Sequence, residues 1–388
     1  MINFDYQNGT RLVFGKGVET GIGELTKEYG TKVLLHYGSG SIKKYGLYDT
    51  IIASLNEAGV SFVELGGVIA NPSLELVQEG IKRCKEEGVD LILAVGGGSV
   101  IDSAKAIALG VYYDGDVWDF FVNGVTPKKA LPVGTVLTIP AAGSESSIAT
   151  VVTNYEQKLK RGFRHNLIRP VFAVMNPEIT YTLPAHQTAV GAIDMIGHVI
   201  ERYFTNTPHV ELTDRLCESV MRTVIDHAPV VLDDPTNYAS RAEIMLAGAL
   251  AHNGWLGVGR EEDWASHIME YEITQVSGIA HAHGLAILYP AWMRYVYKQD
   301  VDRFARFAQV LFDIPEEDDK ETMALAGIDA LEAFYHGLGI TTRLSQVGID
   351  ESQIEAMADS CTNGGTRILG NFVKLTREDV IAIYRSAL

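Results

Sequence analysis

Over the first half of the chain, short aliphatic and β-branched runs alternate with stretches whose apolar residues recur every three or four positions. Residues 32–37 (KVLLHY), 60–65, 90–95 (DLILAV), 133–139 and 171–175 are predicted strands. The run 90–95 is almost wholly apolar, as a strand covered on both faces must be. Helical periodicity covers about 42–58, then 73–87, then a run that ends at Leu109. Strand–helix alternation at this spacing predicts an α/β domain built on a mostly parallel sheet. The pattern changes near Asn176-Pro177 and Leu183-Pro184. Beyond them the 3.6-residue period dominates, at 189–204, 213–227, 240–252 and 320–335, and no strong strand pattern recurs. Two domains are therefore expected, α/β over residues 1–180 and all-helical over 181–388. The acidic stretch 316–321 follows Pro315 and is expected to be an exposed loop entering a helix N-terminus, where acids are favoured.

Composition narrows the function classes. A chain of 388 residues, 47% hydrophobic and 21% charged, can bury a large core without disulfides. Its three cysteines, Cys84, Cys217 and Cys361, form no C-x-x-C pair, which argues against a disulfide framework or a thiolate zinc site and for a reducing compartment. The formal net charge of −17 repels nucleic acid and anionic membrane. The first residues carry no signal-peptide pattern, and no apolar stretch of about 18 residues is present to span a bilayer. A cytoplasmic enzyme acting on a small molecule is expected.

Two glycine-rich turns carry candidate cofactor chemistry. Gly97, Gly98 and Ser99 sit between a buried strand and a helix start, where close backbone approach and unpaired N–H groups suit a pyrophosphate. Asp102 lies in the first turn of that helix, positioned to accept from a cofactor or to favour the helix dipole. Gly38, Ser39, Gly40 and Ser41 end the first clear strand. In a dinucleotide fold an acid there would hold the ribose 2′-hydroxyl of NAD. None is present, while Ser39, Ser41, Lys43 and Lys44 are available to a 2′-phosphate, so NADP(H) is favoured over NAD(H). Thr138 ends another predicted strand in small and hydroxylated residues.

The second half supplies metal-type ligands. Asp194 and His198, at i and i+4 in a helical run, share one face. His267 and His281 follow, with His283 just beyond. Imidazoles with a carboxylate suit Zn²⁺ or Fe²⁺ with an open position for substrate. Fourteen residues of straight helix would separate His267 from His281 by about 21 Å. Sharing one ion therefore requires a turn, with a helix ending near Val276, a break at Ser277-Gly278, and a return loop carrying His281.

The ordered set Gly96-Gly97-Gly98-Ser99-Val100-Ile101-Asp102, residues 137–145, Asn176-Pro177-Glu178, Tyr181-Thr182-Leu183-Pro184, Asp194-x-x-x-His198 and residues 264–284 resembles the iron-containing alcohol dehydrogenase family over nearly the whole chain. More narrowly it is similar to the NADPH-dependent aldehyde reductases and bacterial butanol dehydrogenases. The resemblance implies a Rossmann-like dinucleotide domain, a dehydroquinate synthase-like helical metal domain, a cleft between them, and a homodimer paired near a strand at about 4–14. It implies Fe²⁺ or Zn²⁺ on Asp194, His198, His267 and His281, and cofactor contacts from the 38–41 loop, Gly97, Gly98, Ser99, Thr138 and Lys160. It implies reversible hydride transfer to small aliphatic aldehydes such as butanal. A glycerol or diol dehydrogenase and a non-redox dehydroquinate-synthase-like enzyme are the alternatives on the same plan. Two departures stand out. Tyr271 occupies a position that is often a substrate-facing histidine in relatives, so the proton relay implied for that histidine does not carry over, and Tyr271 is either a hydrogen-bond donor in the site or a packing residue. The segment after Pro140 is shorter than in the diol branch.

Overall fold

The computed structural model describes all 388 residues. It divides into two compact units, Gln7–Leu183 and Pro184–Leu388, the latter joined by Met1–Tyr6. The division thus falls at Leu183 rather than at residue 180, and the first six residues go with the helical unit. Ile2 N–H donates to the Gly259 carbonyl (2.9 Å), and the rings of Tyr6 and Trp255 lie 4.9 Å apart.

The first unit runs β1 (Arg11–Phe14), α1 (Ile22–Lys27), β2 (Lys32–Gly38), α2 (Ser41–Lys44), α3 (Leu47–Ala58), β3 (Ser61–Val68), α4 (Leu74–Glu87), β4 (Leu91–Gly96), α5 (Gly98–Gly110), α6 (Asp119–Val122), β5 (Val133–Leu137), β6 (Ala149–Asn154), β7 (Leu159–Arg164) and β8 (Phe172–Met175). Six strands form one sheet in the order β1-β8-β5-β4-β2-β3, every pair parallel. Strand periodicity sorts its side chains onto two faces. Val33, Leu35, Leu93 and Val95 pack with Ile22 and Leu25 of α1 and Ile51 and Leu55 of α3. The opposite side of β4 carries α5, which also packs on α4.

Two local expectations are corrected, and one element is added. The helical stretch 42–58 is two helices, because the chain turns at Gly46 with φ 81°. The strand expected at about 4–14 is only the four residues of β1. An antiparallel ribbon of β6 and β7 was not foreseen, and it places Lys160 opposite Thr153. β6 alternates buried with half-exposed positions and β7 has no buried position, so the ribbon carries a weak apolar signal.

His36 shows what burial in this sheet costs. It is fully buried on β2, with Nδ1 2.8 Å from the Leu65 carbonyl on β3 and Nε2 2.9 Å from Ser103 Oγ on α5. Because a carbonyl can only accept, Nδ1 carries the proton and Nε2 accepts from the serine. Burial pushes this imidazole down to about 4 from its ordinary 6.5. Between those values the unfolded chain binds the extra proton and the folded chain does not. The contribution is therefore intact above pH 6.5 and is lost as pH falls through 4, by at most about 3 kcal/mol. Urea unfolding at pH 7 and pH 4.5 should show a smaller acid loss in His36→Gln than in the parent. Equal losses in the two proteins would refute the assignment.

The helical unit comprises α7 (Ala185–Tyr203), α8 (Glu211–Asp233), α9 (Tyr238–His252), α10 (Ala265–Ser277), α11 (His281–Val296), α12 (Val301–Phe312), α13 (Lys320–Gly337), α14 (Glu351–Thr362) and α15 (Arg377–Ser386). Its one β pairing is the isolated bridge between Leu369 and Leu375, and Asp319 of the acidic stretch caps the start of α13. α7 is buried without interruption from Thr188 to Tyr203 and packs on α8, α9 and α11. A helix buried all round should be apolar all round. The ionisable residues it carries inward, Asp194, His198, Glu201 and Arg202, therefore mark chemistry. No helix is long and apolar enough to cross a membrane.

Candidate metal centre and dinucleotide site

In the helical unit, one ligand atom each from Asp194, His267 and His281 lie within 4.8 Å of one another. α7 supplies the carboxylate, α10 the first imidazole and α11 the second. The connection between the histidines works as the spacing requires. α10 ends at Ser277, Gly278 takes φ 72° at its C-cap, and the chain reverses. A side chain at that φ would be strained, which is why glycine stands there. His281 is not on a return loop, as expected from sequence, but is the first residue of α11.

His198 stands one turn after Asp194 and just outside this set, with Nε2 3.7 Å from Asp194 Oδ1. That separation is too long for a hydrogen bond. Nor is it an ion pair, because burial, then the neighbouring His252, His267 and Arg202, hold His198 well below its usual range and therefore neutral. Neutral imidazole is the form that ligates metals. His198 Nδ1 is buried without a hydrogen-bond partner. Its ring lies 4.8 Å from that of His267 and 4.1 Å from that of His252. Tyr271 is half-buried, its ring 5.9 Å from His281. His283 turns elsewhere, with Nε2 2.8 Å from Thr341 Oγ1.

Two buried carboxylates stand behind the histidines. Glu201 Oε1 accepts from His267 Nδ1 at 2.7 Å, and His267 Nε2 is buried with no hydrogen-bond partner. Glu270 Oε2 is hydrogen-bonded to His281 Nδ1. An imidazole whose Nδ1 donates to a carboxylate presents its Nε2 lone pair to an ion. These residues fit a divalent metal, and nitrogen and oxygen donors of this kind suit Fe²⁺ and Zn²⁺ alike. Sequence reasoning passed over both glutamates and His252. Glu201 lies seven residues after Asp194 and Glu270 three after His267, so each continues a ligand-bearing helix face. An acid recurring on the ligand stripe of an otherwise apolar helix was the available signal. Nothing comparable distinguishes His252.

In the sheet unit, the two glycine turns meet. β2 and β4 are neighbours although β3 lies between them in sequence, so the strand order reverses there. Such a switch point opens a crevice at the carboxyl ends of the strands. Gly38, Ser39, Gly40 and Ser41 follow β2, while Gly97, Gly98 and Ser99 follow β4 and begin α5. Thr138 follows β5, its N–H bonded to the Gly96 carbonyl (3.1 Å). The turn is tightly packed, since a Cβ at Gly97 would lie 2.9 Å from Ile139 Cβ. The first-turn N–H groups of α5 and its positive dipole end suit an anion.

The remaining predicted contacts are already engaged with the protein to different degrees. Asp102 accepts from Ser144 Oγ (2.6 Å) and from the Val151 N–H (3.0 Å), which ties α5 to the segment ahead of β6 and to β6 itself. Buried Lys105 continues that tie, donating to Ser144, Ser147 and the Ala149 carbonyl. Burial pushes the Asp102 carboxyl above its ordinary range, while the charges of Lys105 and, more weakly, Lys160 pull the other way. Lys43, offered by the sequence to a 2′-phosphate, lies over the rings of Tyr37 and Tyr48 (4.9 and 4.4 Å) and 3.4 Å from Glu64. Lys44 covers Tyr45 at 5.1 Å. Of the four groups expected there, the exposed Ser39 and Ser41 are left.

Comparison with known proteins extends over the full chain. The family model described as iron-containing alcohol dehydrogenase matches residues 9–177, and the C-terminal model of the Fe-containing alcohol dehydrogenase family matches 188–388. The probable NADH-dependent butanol dehydrogenase 2 of Bacillus subtilis (strain 168) is 48% identical over 394 residues, covering 100% of both chains. The NADPH-dependent aldehyde reductase YqhD of Escherichia coli (strain K12) is 37% identical over 393 residues, again covering 100% of both. The crystal structure of NADH-dependent butanol dehydrogenase A from Thermotoga maritima superposes with a TM-score of 0.96 at 38% identity, covering 100% of this chain and 99% of that one.

Proposed function

This chain belongs to the iron-containing alcohol dehydrogenase family and is an NAD(P)H-dependent oxidoreductase of its butanol dehydrogenase and aldehyde reductase branch; from that premise we propose that it reversibly reduces small aliphatic aldehydes such as butanal, using one divalent ion in the helical unit. The observation that carries the metal assignment is the convergence of Asp194, His267 and His281 within 4.8 Å. We take His198 as the fourth ligand, from its place one turn along α7 and its uncharged state.

A bound ion supplies Lewis acidity at a carbonyl oxygen, and a bound nicotinamide supplies the hydride. The protein's part is positioning and charge. Asp194 would be the one anionic ligand, with His198, His267 and His281 as neutral donors that leave an ion Lewis-acidic. Tyr271, beside His281, is the proposed hydrogen-bond donor toward the substrate oxygen. The Gly97–Ser99 turn and the first turn of α5 take the pyrophosphate. Gly38, Ser39, Gly40 and Ser41 take the adenosine ribose, with Thr138 and Lys160 as further contacts. Asp102 acts there by holding the loop rather than through a free carboxylate, since both its oxygens already accept. A homodimer through the uncovered edge of β1 and a cytoplasmic location complete the reading.

With no acid in the 38–41 turn, nothing there repels a 2′-phosphate, which supports NADP(H) over NAD(H). The engagement of Lys43 and Lys44 elsewhere moderates the preference, so a ratio below about tenfold, or 1.4 kcal/mol, is expected. The test is anaerobic oxidation of NADPH and NADH with butanal, on protein stripped of metal and then given Fe²⁺ or Zn²⁺. Turnover should return with metal, and none with either ion would overturn the reading. Gly38→Asp extends the test, because a Cβ there meets only ordinary contacts, 3.5 Å from the Val68 carbonyl and 3.9 Å from Val100. It should move the kcat/KM ratio toward NADH by about tenfold or more. An unchanged ratio would misplace the ribose pocket.

A further inference from the structure

We propose that Glu201 and Glu270 are positioning residues that set the tautomer and aim of His267 and His281, and that metal affinity depends on both. The inference rests on the metal reading above and concerns residues outside the ligand set.

Glu201 is 1% exposed and Glu270 is fully buried, so neither carboxylate is open to bulk water. Each must be satisfied by protein donors. Glu201 has four. Its Oε1 accepts from His267 Nδ1 (2.7 Å), the His267 N–H (3.1 Å) and Tyr289 Oη (3.1 Å), and its Oε2 from the Trp264 N–H (2.6 Å). The last bond falls on a strained residue. Trp264 has φ 69°, uncommon for a bulky side chain, and it immediately precedes α10. Glu201 therefore fixes both the entry of α10 and the ring of the histidine one turn later. Its own helix carries Asp194 and His198, so one rigid element holds two ligands and aims a third.

Glu270 does the same for His281 across the Gly278 turn. It accepts from Thr274 Oγ1 on its own helix and bonds His281 Nδ1 on the next. Gly284 makes room for it, since a Cβ there would lie 2.6 Å from Glu270 Oε1. With both Nδ1 atoms engaged, Nε2 is the ligating nitrogen of each histidine. The negative charge behind each ring also raises its basicity toward an ion.

The test is metal affinity measured by chelator competition on the metal-loaded protein, with Zn²⁺ as the probe and the visible spectrum of the Co²⁺ form as a second readout. Glu270→Gln should weaken Zn²⁺ binding by about 10–100-fold and alter the Co²⁺ bands, and Glu270→Asp should recover part of the loss. Glu201→Gln should show the same loss, and it places an amide N–H where Trp264 already donates. Gly284→Ala, which crowds Glu270 without changing its charge, should weaken binding in the same direction. If the parent binds one ion and Glu270→Gln binds it equally tightly, the inference fails and the metal reading stands. If Glu201→Gln loses folding stability but not affinity, Glu201 is structural only and its part of the proposal is overturned. If the parent binds no ion, the metal reading itself fails.

Discussion

His267→Ala is expected to lose the bound ion and to lower kcat/KM for butanal reduction by roughly 1000-fold, about 4 kcal/mol of transition-state stabilisation. Asp194→Ala should fall as far. His267 is the member of the cluster whose Nε2 is buried without a hydrogen-bond partner while its Nδ1 is held by Glu201. Glu270 holds His281 Nδ1 in the same way. Loss of Asp194 removes the only anion of the three-residue set, leaving neutral donors for a dication. Metal content by elemental analysis, circular dichroism and steady-state kinetics separate the effect from misfolding. His283→Ala is the control, because that ring is engaged with Thr341 outside the cluster. A metal-free His267→Ala protein with parental turnover would sink the site assignment.

Asp214→Ala should cost about 3–5 kcal/mol of stability, the largest effect expected from one substitution outside the site. Asp214 of α8 is buried between two guanidinium groups. Its Oδ1 lies 2.9 Å from Arg260 Nη1 and 3.0 Å from Arg303 Nη1, and Arg303 Nη2 reaches Oδ2 at 3.2 Å. The same arginines close the end of α7, since Arg260 donates to the Arg202 carbonyl (2.8 Å) and Arg303 to the Tyr203 carbonyl (2.7 Å). The last carbonyls of a helix have no intrahelical partners, and cations there also meet the negative end of its dipole. Removing Asp214 leaves two cations facing each other, and the Arg260 side chain is fully buried. Burying uncompensated charge is what makes the loss large, rather than the value of the pair itself. Urea unfolding followed by tryptophan fluorescence reports on this unit, which holds Trp255, Trp264 and Trp292. A loss below about 1 kcal/mol, the range of a surface pair, would refute the argument. Because the network anchors the helix that carries Asp194 and His198, weaker metal retention should accompany the loss.

Much of this molecule is written in local patterns. The strands at Lys32–Gly38 and Leu91–Gly96 follow from short, nearly continuous apolar runs, and the helices of the second half from the 3.6-residue period. The turn between His267 and His281 was required by distance and marked by Gly278. The residue types of the ligand set, and the absence of an acid at Gly38–Ser41, could be read directly. Features made across the chain could not. Glu201 meets His267 across 66 residues, and Glu270 meets His281 across a helix reversal. Lys43 could be read only as a charge near a cofactor loop, but its aromatic and acidic neighbours come from the packing of α3 and β3. The ribbon of β6 and β7 and the attachment of Met1–Tyr6 to the helical unit depend likewise on distant partners. A sequence sets which groups are present and how a short segment bends. Which buried carboxylate faces which imidazole is decided by helix packing, where the need to satisfy every buried charge selects one arrangement.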